Sequence, residues 1–285
     1  QPICLKVLFS EAVLDSILNP LNYSFNIYAV FPFIASIFVF FLGFLVLSKN
    51  PKSLTHIIYF IFNLSIGIYQ LGEGLQFSAN NEETADLIFR YITMSGASYI
   101  TINGYFFSFV MLDKIKRQRS FVITSYILFS AAILSIFFTD IIIKGVHQTP
   151  WGYYGSAGRF AYIFIIPFIL YGLLTLRNFY YSYKAAETST KRLQMIYILL
   201  SLGVGFISIL GFIPWYEVHI YTFEFLPITI YTAVLAYTIV RYKLMDIKTV
   251  FHMTAAWAVI LAIIFIPIYI VIVVLHDWTH MLSHK

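Results

Sequence analysis

The sequence predicts an all-α fold, a polytopic bundle of membrane-spanning helices. Of its 285 residues 60% are hydrophobic and only 11% charged, and the apolar residues gather into long continuous runs. A soluble domain carries about 25% charged residues. The runs show no apolar–polar alternation, so helices are expected and not a barrel.

A helix needs about 20 largely apolar residues to cross the hydrocarbon core. The stretches that qualify are Tyr28–Ser48, Leu54–Phe77, Leu87–Leu112, Phe121–Ile143, Phe160–Tyr180, Leu193–Ile213, Ile220–Ile239 and Thr254–Leu275. The mean hydropathy of +0.82 agrees. Preceding them, QPICLKVLFSEAVLDSILNP is broken by Lys6, Glu11 and Asp15 and does not form a signal peptide. A chain starting at Gln1 reads as a fragment or a processed product.

Charge sets the expected orientation. Of the 18 Lys and Arg, 13 fall in the connections around Lys49, Lys114–Arg119, Lys184–Arg192 and Arg241–Lys248 or at the span ends beside them. The positive-inside rule puts that set in the cytoplasm and the N-terminus outside. The basic residues lie between apolar spans and form no single patch, which argues against nucleic acid as a partner. A lone cysteine, Cys4, excludes an intramolecular disulfide and any cysteine-based metal site.

The longest outer connection, KGVHQTPWGYYGSAGRF, cannot be a continuous helix because of its glycines and Pro150. Trp151, Tyr153 and Tyr154 suit either an interfacial anchor or a lid over an outer pocket.

Polar residues inside a membrane are costly and are read first as functional. In the second span Asn63, Gln70 and Glu73 share a helix face, with Gln76 at the next turn and Gly72 and Gly74 beside Glu73. Glu73 is read either as a ligand contact or as a carboxylate that snorkels to outer water or pairs with Arg90. In the third span Gly96, Tyr99 and Asn103 share a face, for tight packing or for ligand contact. Glu224 precedes Pro227, which starts or kinks the seventh span. Asp140, Arg159, Arg90, Glu73 and Glu224 are expected around one outer vestibule.

His276, His280 and His284 recur every fourth residue. They are weak metal candidates, since a polar segment after the last span explains them as well. GxSxG, GxxxxGK[ST], HExxH and a strand-borne GxGxxG are missing from the sequence, and no lysine lies mid-membrane in the last spans for a retinal Schiff base. No catalytic role and no cofactor is expected.

Three stretches carry a resemblance: NPLNYSFNIYAVFPFIASIFVFFLGFLVLSKN, KRLQMIYILLSLGVGFISILGFIP and LPITIYTAVLAYTIVRYKLMDI. Together they look like the N-terminal seven-transmembrane sensor region of bacterial histidine kinases and related signalling proteins. The similarity runs from Asn19 to Ile247. Its most specific parts are Lys191–Arg192–x–Gln194 and the closing run through Tyr237, Arg241, Tyr242, Lys243, Leu244, Asp246 and Ile247. The chain departs from the pattern in having Tyr69 and Gln70 where a tryptophan is common, and in its eighth span.

The resemblance implies an extracytoplasmic segment at 1–25, a seven-helix sensor core at 26–248, and an eighth transmembrane helix and tail at 249–285, truncated before a further span. It implies a non-catalytic input module in the bacterial cytoplasmic (inner) membrane. Its partners would be the lipid bilayer, an unidentified small-molecule ligand, a downstream cytoplasmic signalling domain and a second copy in a homodimer. The ligand contacts expected from the residues are Asn63, Gln70, Glu73, Arg90, Tyr99, Asn103 and Glu224. A transporter or channel, or an anchor without ligand, is the rival reading.

Overall fold

The computed structural model describes residues 11–241. The expected eighth span Thr254–Leu275, most of the RYKLMDIK junction, and His276, His280 and His284 lie outside the described residues.

The described chain is a helical membrane bundle. After a short α1 (Glu11–Leu18), α2 (Ile27–Lys49) and α3 (Leu54–Ser78) follow the first two expected spans closely. Then come α4 (Glu82–Ile88), a π-helical turn (Phe89–Thr93) and α5 (Met94–Met111), which divide the expected third span. Next is α6 (Ile115–Phe138). Beyond a β-hairpin lie α7 (Tyr162–Lys184), α8 (Ser189–Phe206) and α9 (Phe225–Arg241). Among the described residues five segments, Ile27–Lys49, Leu54–Ser78, Ser120–Phe138, Tyr162–Lys184 and Ser189–Tyr216, are long and apolar enough to cross a membrane.

The helices expose apolar faces suited to lipid. On α2, Ile34, Ile37, Phe41 and Phe44 are exposed, while Ala35, Val39, Leu42 and Val46 are buried. A three-to-four residue rhythm puts each set on its own side of the helix. Exposed Ile163, Ile166, Leu170 and Leu173 form the corresponding stripe on α7.

Small residues set the central packing. A β-carbon at Gly96 would come within 2.6 Å of the Ser65 carbonyl oxygen, so α5 and α3 touch backbone to backbone. Two cores result. One surrounds Phe77, Phe89, Trp151, Tyr154, Phe164 and Trp215 near the hairpin. The other surrounds Val39, Tyr59, Phe62, Phe107, Phe179, Ile198, Tyr231 and Leu235. In the second, the Tyr59 hydroxyl donates to the Thr232 carbonyl at 2.7 Å and ties α3 to α9.

The expectation of an all-α chain needs one correction. Within the long outer connection, β1 (Ile143–Thr149) and β2 (Gly152–Ala157) pair antiparallel. Pro150 and Gly152, the latter at φ 131°, make the reversal, a backbone shape that favours glycine. The hairpin is seated on the bundle. Asn26 caps α2 by accepting from the Tyr28 amide at 2.9 Å. The same amide side chain donates to the carbonyls of Phe77 at 2.6 Å and Trp151 at 2.8 Å. One residue thus joins the start of α2, the end of α3 and the hairpin turn.

Candidate functional site

Between α3, α5, α7, α8 and α9 lies a cavity with about 120 Å³ open to the centre of a water-sized sphere. That is roughly ten times what one water needs. Its walls are mostly apolar and aromatic: Phe62, Phe89, Ile100, Phe168, Leu202, Phe206, Ile209, Phe212, Trp215, Ile228 and Tyr231. The polar groups on it include Tyr69, Glu73, Gln76, Tyr154 and Glu224. Few polar groups on an apolar wall is the usual composition of a small-molecule site.

The helical periodicity explains which α3 residues reach it. At about 100° per residue, Phe62, Tyr69, Glu73 and Gln76 fall within one narrow arc of α3. Thr93, Ala97 and Thr101 recur every fourth residue along the π turn and α5 and form the facing wall.

Glu224 is the convergence point. It stands just ahead of α9 and is 4% exposed. Its predecessor Phe223 has φ 48°, a strained conformation for a bulky residue. The Tyr154 hydroxyl donates to the Glu224 carboxylate at 2.7 Å and also approaches the Gly211 carbonyl at 3.0 Å. Tyr69 and Glu73 line the cavity beside the same side chain, close enough to act on its charge. Gly211 is needed there because a β-carbon would collide with the Glu224 side chain. Burial first, then the adjacent Glu224, pushes the Tyr154 hydroxyl well above its ordinary range, so it remains a donor.

Of the seven expected ligand contacts, Glu73 and Glu224 line the cavity. The other five are placed elsewhere. Asn63 donates to the Tyr59 carbonyl at 2.8 Å and packs toward Gly43 of α2. Gln70 is fully buried, a quarter-turn or so from the cavity arc. Asn103 donates to the Ser65 hydroxyl at 2.7 Å and accepts from Tyr126. Tyr99 and Ser130 are hydrogen-bonded at 2.9 Å. This polar seam joins α3, α5 and α6, in line with the packing alternative.

Arg90 corrects a second expectation. It does not pair with Glu73. Its guanidinium bridges Asp86 at 2.9 Å and Asp140 at 2.7 Å, and donates to the carbonyls of Ile136, Thr139 and Ile143. The five charged residues therefore form no single vestibule. Arg90 and Asp140 make a structural clasp, Glu73 and Glu224 line the cavity, and Arg159 lies over the Phe160 ring at 5.6 Å. Burial raises the Asp86 carboxyl, an effect the Arg90 charge opposes.

Thr93, Thr101, Ser208 and Trp215 were not picked out from the residues. The four-residue recurrence of Thr93, Ala97 and Thr101 was the available signal. Among the described residues no group of three or more His, Cys, Asp or Glu could hold a metal ion. No family model matches the chain, and neither a curated protein nor a solved structure matches it.

Proposed function

We propose that this chain is the membrane-embedded sensory input module of a bacterial signalling protein, and that a small lipophilic ligand occupies the cavity. The observation that carries the reading is the position of Glu224. It is the polar end of the cavity, the anchor of the hairpin through Tyr154, and the residue from which α9 departs.

A ligand that contacts the carboxyls differently in two arrangements of the bundle shifts the balance between them. Because α9 begins one residue after Glu224, that shift is passed along α9. On the charge pattern the hairpin faces outward and the far end of α9 faces the cytoplasm. An output domain downstream and a homodimer in the cytoplasmic membrane complete the proposal.

The transporter reading requires a polar route through both leaflets. Val39, Val46, Phe107, Phe179 and Leu235 belong to an apolar cluster packed against the cavity-lining residues Phe62, Ile228 and Tyr231. The test is the response of the full signalling protein when Glu73 is replaced by Gln. The expected result is normal membrane insertion with a displaced response curve. An unchanged curve, or solute flux in vesicles carrying the chain, overturns the reading.

A further inference from the structure

The cavity holds two acidic side chains and no basic one. Glu73 and Glu224 are each 4% exposed, line the same cavity and lie close enough to act on one another's charge. Two carboxyl groups facing one buried space repel each other strongly when both are ionised, and a cation placed between them relieves that repulsion. No Lys, Arg or His is among the residues that line the cavity. The nearby cations are committed elsewhere, Arg90 to Asp86 and Asp140, Lys144 to Glu217.

Two further atoms are left without partners. The Oε2 of Glu73 accepts no hydrogen bond, and neither does the Nε2 of Gln76 donate one. Gln76 is 2% exposed and lines the same cavity. A buried polar atom without a partner is costly. Both are satisfied by a ligand that brings an N–H donor to Glu73 and an oxygen acceptor to Gln76.

The walls select the rest of the ligand. A buried negative charge among apolar groups is stabilised by a cation that leaves water with it. Tyr69, Trp215 and Tyr231 are on the same wall, and aromatic rings attract a cation placed over them. The remaining surface is apolar and receives a hydrocarbon body.

We propose that the ligand is a protonated amine with an apolar body, its ammonium between Glu73 and Glu224 and an oxygen substituent at Gln76. A quaternary ammonium lacks the N–H that Glu73 Oε2 requires. The proposal rests on the cavity being a ligand site, as the sensory reading holds.

The experiment uses the full chain in phosphatidylcholine nanodiscs at pH 7 with three matched probes: a 2-hydroxy-2-phenylethylammonium, the corresponding neutral diol and the corresponding hydroxy acid anion. Thermal stability and tryptophan fluorescence are read for each, Trp215 lying on the cavity wall. The ammonium is expected to stabilise the protein at concentrations at least about tenfold below the neutral diol, with no effect of the anion. Glu73→Gln and Glu224→Gln should each remove that preference, while Glu217→Gln at the exposed Lys144 pair leaves it intact. Equal action of ammonium and diol overturns the amine proposal but retains the ligand site. No response to any of the three overturns both. Should a Gln variant fail to fold, the ammonium–diol ratio of the unaltered protein still decides.

Discussion

The Tyr154 hydroxyl donates to the Glu224 carboxylate across 2.7 Å, joining a surface hairpin to the buried start of α9. Tyr154→Phe removes that bond and the one to Gly211. A buried hydrogen bond contributes about 0.5–1.5 kcal/mol net. The expected outcome is a lower unfolding temperature in nanodiscs and faster hydrogen exchange in residues 143–157. Exchange rates equal to the unaltered protein would show that the hairpin is held by its apolar contacts alone.

Arg90→Met should be among the most damaging single changes. It strips a partly buried Asp86 and three carbonyls of their donor at once. Removing one partner of a fully buried ion pair costs about 3–5 kcal/mol, and the solvent access of Asp86 and, more so, Asp140 puts the loss here below that range. Arg90→Lys should rescue little, because a lysine cannot reproduce the forked geometry that reaches Asp86 and Asp140 together. Chemical unfolding of the three proteins side by side gives the comparison.

Gly96→Val tests the contact between α3 and α5. The added side chain meets the Ser65 carbonyl and the α3 backbone, which cannot yield as a flexible side chain could. Overpacking of this kind costs about 1–3 kcal/mol. Gly203→Ala, with nothing within 4 Å of the new methyl, is the matched control and should be near neutral.

Acid should weaken the hairpin through His147. Burial, the largest influence, holds its imidazole below the ordinary value of 6.5, with His219 and Lys144 adding to the effect and Glu217 opposing it. The folded form therefore resists protonation. As pH falls below 6.5 the unfolded chain takes the proton first, so stability present above that value declines until folded His147 itself titrates. His147→Gln should flatten the decline, read as unfolding temperature between pH 7.5 and pH 5.

Much of the helix layout was legible because span length and apolarity are properties of single segments. α2, α3 and α6 to α9 fall near the expected stretches. The partnership of Glu73 with Glu224 was not legible, since it depends on which helices are neighbours and on the strained turn at Phe223. The shared face of Asn63, Gln70 and Glu73 was real but too wide a criterion, and a rotation of about a quarter-turn separates a cavity wall from a contact with α2. The pairing of Arg90 with Asp86 was readable as four-residue spacing, but the outer vestibule reading drew it toward Glu73. The hairpin's Pro150 and Gly152 announced a turn, and the strands around it were too short and irregular in pattern to announce themselves.

The π turn at Phe89–Thr93 restricts how the chain can change in length. Phe89 packs on Gly155 and Trp215, while the next residue, Arg90, reaches Asp140. Deleting one residue here would turn α4 by about 100° against α5 and part both sets of contacts. Surface loops absorb insertions and deletions readily. Between Asn81 and Gly96 the spacing is fixed by partners on opposite sides, so homologous chains that keep this clasp should align through it without a gap.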